Sequence, residues 1–275
     1  MQREIYWEKA LEQTRISIDK GHLFPLNTID ITNQLYNKND FIIRKLDTSK
    51  FKNDLKFGPK VNPFNPWDKV LEIGKVGQHH HLILNKYPVQ IGHTLLITNK
   101  WMPQNGWLDL KDWYAIKKVN EDTSGLWFFN SGPIAGASQP HRHIQLLRRD
   151  ADEKICPREE WFINFDKTKI NTKLFKNIIV QAFDFSNDIN NIYQIYVGLS
   201  KRMGLGDPFL DKKPMHPYNL LITNEWIALI KRSNDKIYGF SVNGLGFAGY
   251  LLVTEKSDTE YLKLNGPEAL LENFV

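Results

Sequence analysis

The stretch GASQPHRHIQLL, residues 136–147, decides both the fold and the chemistry expected of this 275-residue chain. Successive side chains of a β-strand point to opposite faces of the sheet. The second half of the stretch therefore predicts a strand with His141, His143 and Gln145 on one face and Ile144 on the other. Three polar groups would converge at one place, directly after a run of small and polar residues.

The small residues before this strand favour a loop that binds an anion. Gly132, Gly136, Ala137 and Ser138 allow backbone N–H groups to approach a ligand closely, as phosphate sites require. An imidazole that faces such a loop is nucleophilic near neutral pH and can form a labile P–N bond. From the residues alone, two other interpretations stay open, because two histidines spaced this way on a strand can also form a surface pair or part of a metal site.

Composition limits the classes of protein to consider. A hydrophobic fraction of 41%, with eight Trp and sixteen Phe, fills a core of enzyme size. The formal charge of +5 suits an anionic ligand but lacks the clustering typical of nucleic-acid binders. One cysteine, Cys156, excludes an internal disulfide and a Cys-rich zinc site. With neither a signal-peptide pattern nor a membrane-spanning run, we expect a cytoplasmic protein that binds neither nucleic acid nor membrane.

Hydrophobic periodicity predicts an α+β fold. Helices are expected within residues 1–23, 108–122, 171–183, 189–202 and 257–274. Strands are expected at residues 70–76, 80–84, 93–98, 125–130 and 141–147 and within residues 218–232 and 240–254. Asp109 or Asp112 is placed to cap the second helix, and the Pro- and Lys-rich residues 40–66 are predicted as loop. Because helices and strands do not alternate regularly, the pattern favours α+β over a doubly wound parallel sheet.

Three other motifs invite functional interpretations that we consider weaker. GLGFAG, residues 244–249, matches a dinucleotide-binding fingerprint, but the following YLLVTEK predicts a strand where that fingerprint needs a helix. Residues 79–81 are three consecutive histidines, of which at most two can share a metal ion, so a partly exposed strand start is the simpler interpretation. The aromatic residues 127–129 lie in a predicted strand and are expected in the core rather than stacked on a base.

NSGPIAGASQPHRHIQLL, residues 130–147, resembles the signature of the histidine-triad superfamily in its His-x-His-x-Gln form. More specifically, it resembles the ATP adenylyltransferases, also called diadenosine tetraphosphate phosphorylases. The resemblance extends to HLILNKYPVQIGHTLLITNKW and to NPFNPWD before it, and near the C terminus to YNLLITNEWIALIKRS and SVNGLGFAGYLLV. It covers most of the chain from about Asn62 onward. KKPMHP, residues 212–217, departs from the family pattern just before the first C-terminal segment.

The resemblance implies a histidine-triad-like α+β fold with a mainly antiparallel sheet flanked by helices and elaborated by a C-terminal segment. It also implies one unit over residues 1–275. Within that unit, residues 1–60 form an N-terminal helix and loop, residues 61–150 form the catalytic core, and residues 151–275 complete the site.

Carried over by position, the resemblance implies that His143 is the nucleophile, that His141 orients it and that Gln145 holds the adenylylated form. Asn130 and residues 136–139 would contact phosphate, Asn85 the ribose and Lys86 the phosphate charge. The second nucleotide or the polyphosphate would be bound by four residues of the C-terminal part. The binding residues expected in this way are Lys60, Asn85, Lys86, Asn130, Gly136, Ala137, Ser138, Gln139, Tyr218, Asn219, Asn224 and Arg232.

Glutamine at the third position of the motif favours transfer over hydrolysis. The Gln145 amide can donate a hydrogen bond but cannot act as an acid or base near neutral pH. A polyphosphate leaving group needs no acid, and an attacking phosphate needs no base. The implied partners are diadenosine polyphosphates, ATP, ADP and inorganic phosphate. No tightly bound cofactor is expected, and Mg²⁺, where it is used, would arrive with the polyphosphate.

Three alternatives remain at this point. A hexose-1-phosphate uridylyltransferase shares the His-x-His-x-Gln pattern and would differ in its acceptor and base preference. A histidine-triad hydrolase is disfavoured by Gln145. A nucleotide-binding sensor that lacks turnover has the same sequence signals, and only a measurement of turnover separates it from an enzyme.

Overall fold

A computed structural model describes residues 3–47, 62–150, 152–167 and 172–275. The α-helices are α1 (Ile5–Asp19), α2 (Thr32–Leu35), α3 (Leu110–Asn120), α4 (Glu159–Ile163), α5 (Lys173–Lys176), α6 (Ile189–Arg202), α7 (Gly244–Phe247) and α8 (Thr259–Glu272). The strands are β1 (Thr28–Asp30), β2 (Ile42–Leu46), β3 (Glu72–Val76), β4 (His80–Leu84), β5 (Thr94–Thr98), β6 (Gly125–Asn130), β7 (His143–Arg148), β8 (Ile178–Ala182), β9 (Tyr218–Ile222), β10 (Trp226–Lys231), β11 (Lys236–Ile237), β12 (Phe240–Ser241) and β13 (Tyr250–Val253).

An eight-stranded sheet in the order β3-β4-β5-β7-β6-β9-β10-β8 forms the centre of the described fold. Every neighbouring pair in it is antiparallel. A smaller sheet in the order β1-β2-β13 contains one parallel pair, β13 with β2. The predicted α+β fold with a mainly antiparallel sheet is therefore confirmed.

The two faces of the large sheet bury different hydrophobic cores. On one face, Ile144 and Trp127 pack with Trp113 of α3 and Tyr196 of α6. On the other face, Phe128 packs with residues of α4, α7 and α8. Because β6 is buried on both faces, its aromatic side chains expose no ring to a ligand, as expected for residues 127–129.

Several predicted helices are confirmed, and the start of α3 shows why. Asp109 accepts hydrogen bonds from the backbone N–H groups of Lys111 (2.8 Å) and Asp112 (3.1 Å). Asp112 in return accepts from the Asp109 N–H at 2.9 Å, which completes a capping box. Both aspartates that the sequence offered as caps therefore take part.

The prediction of a helix over residues 171–183 was wrong in its second half. Only Lys173–Lys176 is helical, and Ile178–Ala182 forms the edge strand β8, which pairs with β10. This segment alternates between more and less buried residues, and its Ile-Ile-Val run favours a strand through β-branching. Spacings of three and four between apolar residues suggested a helix, because a short apolar run fits both periods.

Two further segments differ from the prediction. Residues 40–66 were predicted as loop, but Ile42–Leu46 forms β2, which pairs with β1 on one side and with β13 on the other. Within GLGFAG, residues 244–247 form the short helix α7, and the strand predicted after the motif is β13. Among the residues that the structure describes, no helix combines the length and apolar character needed to cross a membrane.

Candidate active site

His143 is the first residue of β7, next to Ile97 of β5, and only 4% of it is exposed. Its Nδ1 donates a hydrogen bond to the carbonyl oxygen of His141 at 2.9 Å. Because a carbonyl only accepts, Nδ1 carries the proton and Nε2 keeps its lone pair. Burial lowers the pKa of His143 to about 4. The ring is therefore neutral and nucleophilic at physiological pH.

His141 contacts His143, the predicted nucleophile, through its backbone carbonyl, whereas its own ring bonds to other residues. Ring atom Nε2 lies 2.9 Å from both the carbonyl oxygen and Oγ1 of Thr98, at the end of β5. Ring atom Nδ1 lies 3.0 Å from Oδ1 of Asn62. The predicted orienting role of His141 thus has a contact in the structure, but it is a main-chain contact, and the ring instead ties the motif to β5.

Gln145 lies on the same sheet face as His143, as predicted from strand alternation, and is partly exposed. Near it is His93, whose Nδ1 accepts a hydrogen bond from Nδ2 of Asn85 at 3.1 Å. The pKa of His93 is lowered to about 4, mainly by burial and also by nearby His143 and Arg149, while a hydrogen bond with the Gln145 side chain acts in the opposite direction. Asn85, His93 and Gln145 therefore form a polar row that leads along the sheet to His143.

Asn85 is at the far end of this row from His143. Strand pairing places Leu84 next to Thr94, and Thr94 next to Leu146. Asn85 thus lies level with the end of β7, about 13 Å along the strand from His143. It is partly exposed, and the neighbouring Lys86 is exposed, with Nζ 5.5 Å from the centre of the Phe24 ring.

The predicted phosphate loop runs between β6 and β7. Gly136 has a φ of +87°, and a Cβ there would lie 2.6 Å from Cβ of Asn243, so only glycine fits. The N–H groups of Gly136 and Ala137 bond within the loop, to the carbonyls of Pro133 and Gly132. Among the described residues, the N–H groups of Ser138 and Gln139 have no acceptor. Of the four predicted loop residues, these two thus offer backbone donors to a ligand.

A buried polar network supports the loop from below. Oδ1 of Asn130 accepts from Nδ2 of Asn219 at 2.8 Å and from the Gly244 N–H at 2.9 Å. Asn219 also donates to the Ala135 carbonyl at 2.7 Å and accepts from Nη1 of Arg232 at 2.6 Å. The Nδ2 group of Asn130 makes no hydrogen bond within the described residues. This group could donate to a phosphate oxygen, and the predicted contact of Asn130 with phosphate stays a prediction.

Arg232 and Asn219 were predicted to contact the substrate directly, but in the structure their side chains contact other protein groups. Arg232 is 2% exposed and donates to the carbonyls of Phe274 (3.1 Å), Asn234 (2.9 Å) and Val242 (2.8 Å) in addition to Asn219. Burial lowers its pKa to about 9. Four of its five N–H groups donate to protein oxygens, so both residues hold the loop in place instead of facing a nucleotide.

Two other predicted residues do not reach the histidines, and one lies outside the described residues. The hydroxyl of Tyr218 is hydrogen-bonded to that of Tyr196 at 2.7 Å, inside the core on the sheet face opposite to His143. Asn224 lies in the turn after β9, at the other end of the strands, and accepts from Nδ2 of Asn120 at 2.8 Å. Lys60 falls in residues 48–61, which the structure does not describe.

Sequence reasoning missed a buried ionic group on the reverse face of the motif. Nη1 of Arg142 and Nε2 of His80 each donate to Asp112, at 2.8 Å in both cases, and all three side chains are buried. Burial alone would raise the pKa of Asp112, but the His80 hydrogen bond and the Arg142 charge outweigh it and hold the pKa below its ordinary value. The signal available in the sequence was an arginine at the inward-facing position between two site histidines.

The His80 contact also corrects the interpretation of residues 79–81. His79 is exposed, as a strand start would be, but His80 is buried and paired with Asp112. In the described part of the chain, no three His, Cys, Asp or Glu side chains group as a metal site.

Two protein-family models match this chain, and together they cover most of it. A family model described as the Ap4A phosphorylase N-terminal domain matches residues 1–160. A second, described as the ATP adenylyltransferase C-terminal domain, matches residues 171–275.

Individual relatives agree with the family models. Protein APA1 of Saccharomyces cerevisiae is 26% identical over 226 residues, which cover 74% of this chain and 69% of the relative. Diadenosine 5',5'''-P1,P4-tetraphosphate phosphorylase 2 of the same yeast is 24% identical over 245 residues, or 79% of this chain and 75% of the relative. The crystal structure of yeast Ap4A phosphorylase Apa2 in complex with Ap4A aligns with a TM-score of 0.71 at 22% identity, covering 99% of this chain and 96% of that one.

Proposed function

Because the chain belongs to the Ap4A phosphorylase family, we propose that it is a nucleotidyltransferase that cleaves diadenosine tetraphosphate with inorganic phosphate, giving ADP and ATP in a reversible reaction. The observation that carries the proposal is the state of His143. Its ring is neutral, its Nδ1 proton is hydrogen-bonded to a carbonyl, and its Nε2 is unprotonated. The loop that ends a few residues before it carries the N–H groups of Ser138 and Gln139, which have no acceptor within the described residues. A phosphorus atom held by that loop would meet a ready nucleophile.

In the first step, Nε2 of His143 attacks the α-phosphorus of one adenosine. The P–N bond forms as the P–O bond to the polyphosphate breaks, and ATP leaves as a stable anion. The His141 carbonyl, which accepts the Nδ1 proton's hydrogen bond, stabilises the positive charge that develops on the ring. The N–H groups of Ser138 and Gln139 and the Nδ2 of Asn130 would stabilise the charge on the phosphoryl oxygens.

In the second step, an oxygen of inorganic phosphate attacks the same phosphorus. The P–N bond breaks, ADP leaves, and His143 returns to its neutral form. Gln145, on the same face, supplies an amide that can bind a phosphoryl oxygen but cannot activate water. We therefore assign it to holding the adenylylated enzyme until phosphate binds. A divalent cation, where one takes part, would be held mainly by the polyphosphate itself.

The proposal is tested by incubating the protein with diadenosine tetraphosphate, with and without phosphate, and separating the products by anion-exchange chromatography. Equal amounts of ADP and ATP that appear only with phosphate are expected. AMP and ATP formed without phosphate would make the protein a hydrolase and contradict the role given to Gln145. Turnover of uridine diphosphate sugars in place of diadenosine tetraphosphate would favour a hexose-1-phosphate uridylyltransferase.

The depressed pKa of His143 predicts an unusual pH dependence of the first step. A histidine with an ordinary pKa, about 6.5, would become protonated and lose its nucleophilic lone pair as the pH falls through that value. With a pKa of about 4, His143 stays neutral well below it. The rate of ATP release in a single turnover without phosphate is therefore expected to stay level from about pH 8 to about pH 5. Omitting phosphate removes the titration of the acceptor, and a decline centred near pH 6.5 would contradict the prediction.

Ser138→Ala tests the phosphate loop with little risk to the fold, because the side chain is exposed and makes no hydrogen bond within the described residues. If its hydroxyl donates to the transition state, kcat should fall by about 10²-fold. The unfolding temperature should not change. Steady-state kinetics and a thermal melt measure both effects, and Ser186→Ala, on a distant exposed turn, is the matched control. A kcat equal to that of the wild type would remove the Ser138 hydroxyl from the site and leave only the backbone N–H of this residue as a donor.

A further inference from the structure

Gln104 is a buried side chain, 2% exposed, that lies in the segment between β5 and α3. Its neighbours along the chain run beside the histidine motif. The Gln104 N–H donates to the Pro140 carbonyl at 2.9 Å, and the Arg142 N–H donates to the Met102 carbonyl at 2.9 Å. Pro103 and His141 form an isolated β-bridge in the same place. Gln104 is thus carried by a segment that pairs with the residues directly before the nucleophile.

The side chain of Gln104 lies where β6 and β7 separate. Their ladder pairs Trp127 with Leu146 and Phe128 with Gln145, and it ends there. Continuing the same register would place Asn130 opposite His143. No pairing of these two residues occurs, so their facing backbone groups need another partner.

The Gln104 amide is that partner. Its Oε1 accepts from the His143 N–H at 2.8 Å, and its Nε2 donates to the His143 carbonyl at 3.1 Å and to the Asn130 carbonyl at 2.8 Å. One side chain therefore makes the hydrogen bonds that pairing between β6 and β7 would otherwise supply at this position. It binds the main chain of the nucleophile on both sides of its Cα, and in the same contact it binds the main chain of a phosphate-contacting residue.

We propose that Gln104 is a positioning residue that sets the direction of the His143 ring and its separation from Asn130. The inference rests on the proposed function, in which His143 must approach phosphorus in line while Asn130 binds an oxygen of the same group. Such geometry is sensitive, since a displacement of about 1 Å can cost about 10²-fold in rate. Gln104 lies in the second layer behind these residues and has no exposed group with which to contact a substrate.

The chemistry of the contact makes the inference specific. The site uses one acceptor and two donated hydrogen bonds, which a primary amide supplies. In Gln104→Met the side chain has a similar shape, but it can neither accept the hydrogen bond from the His143 N–H nor donate to the two carbonyls. In Gln104→Glu the charged carboxylate can still accept from the His143 N–H but faces two carbonyl oxygens. A protonated glutamate recovers one donor, and burial among these oxygens should raise its pKa.

The experiment compares the wild type with Gln104→Met and Gln104→Glu. The control is Gln13→Leu on α1, away from the site, which removes a side-chain donor to the Val70 carbonyl. The kcat and KM for diadenosine tetraphosphate are measured from about pH 8 to about pH 5, together with the unfolding temperature. We expect kcat of Gln104→Met to fall by about 10²-fold with little change in KM. For Gln104→Glu, the kcat relative to the wild type should rise by about tenfold or more as the pH is lowered. Gln13→Leu should keep the wild-type kcat.

A spectroscopic measurement separates this inference from the proposed function. In protein labelled with ¹⁵N-histidine, NMR should show His143 as the Nδ1–H tautomer in the wild type and as a mixture in Gln104→Met. The inference is overturned if both variants keep the wild-type kcat per folded enzyme and the tautomer signal. Absence of wild-type turnover would instead overturn the proposed function, and the NMR comparison would still decide the role of Gln104.

Discussion

Replacement of His143 with alanine is expected to lower kcat for diadenosine tetraphosphate phosphorolysis by about 10⁴-fold or more, because it removes the protein atom that bonds to phosphorus in the proposed scheme. The substrate should still bind, since the loop donors and Asn85 do not depend on the imidazole. Within the described residues, its one side-chain hydrogen bond is to the His141 carbonyl. The loss should therefore appear in the chemical steps and not in the amount of folded protein.

The measurement combines steady-state kinetics with mass spectrometry of the enzyme quenched after mixing with diadenosine tetraphosphate in the absence of phosphate. The wild type should gain one adenylyl group on the peptide that contains His143, and the variant none. His79→Ala is the control, because that histidine is exposed and lies just before β4, which β5 separates from β7. An adenylylated peptide elsewhere in the chain, or a variant that retains most of its activity, would show that the nucleophile is misassigned.

Asp112→Ala should lower the free energy of unfolding by about 3–5 kcal/mol, because it leaves the buried Arg142 guanidinium without a counter-charge. Asp112 receives hydrogen bonds from Arg142, from His80 and from the N–H of Asp109. Arg142 stands between the two histidines of the motif. We therefore also expect activity to fall in the part of the variant population that remains folded.

Urea unfolding followed by tryptophan fluorescence measures the loss. The matched control is Asp188→Ala, which removes the N-cap of α6 and its contacts with the N–H groups of Asn190 and Asn191. That exposed cap should contribute about 1 kcal/mol. A loss for Asp112→Ala that does not exceed that of the control would mean that water reaches the Arg142 guanidinium.

Local patterns account for what the sequence predicted well. Alternation along residues 141–147 fixed the faces of β7, and two aspartates at capping distance fixed the start of α3. The segment at Ile178–Ala182 failed because a short apolar run satisfies both helical and strand periods. What decided it was pairing with β10, about fifty residues later in the chain, which no local window contains.

The site residues divide in the same way. The motif and the small residues before it indicated the loop. Within the described residues, the N–H groups of Ser138 and Gln139 and Nδ2 of Asn130 make no hydrogen bond there. Arg232 was expected to bind the substrate, but its guanidinium is buried and donates to backbone carbonyl groups. Gln104 gave no sequence signal, because its partners exist only where two strands separate.

The central position of β9 has a consequence for how such proteins can diverge. This strand comes from the segment matched by the C-terminal family model, yet it pairs with β6 of the N-terminal segment and carries Asn219 to the underside of the phosphate loop. Each segment thus contributes an inseparable part of one hydrogen-bonded unit. A chimera that joins residues 1–160 of one relative to the C-terminal segment of another would have to match strand register and buried amides across the junction. Substitutions in the two segments are therefore expected to be tolerated in pairs, and recombination between distant relatives should rarely yield a folded enzyme.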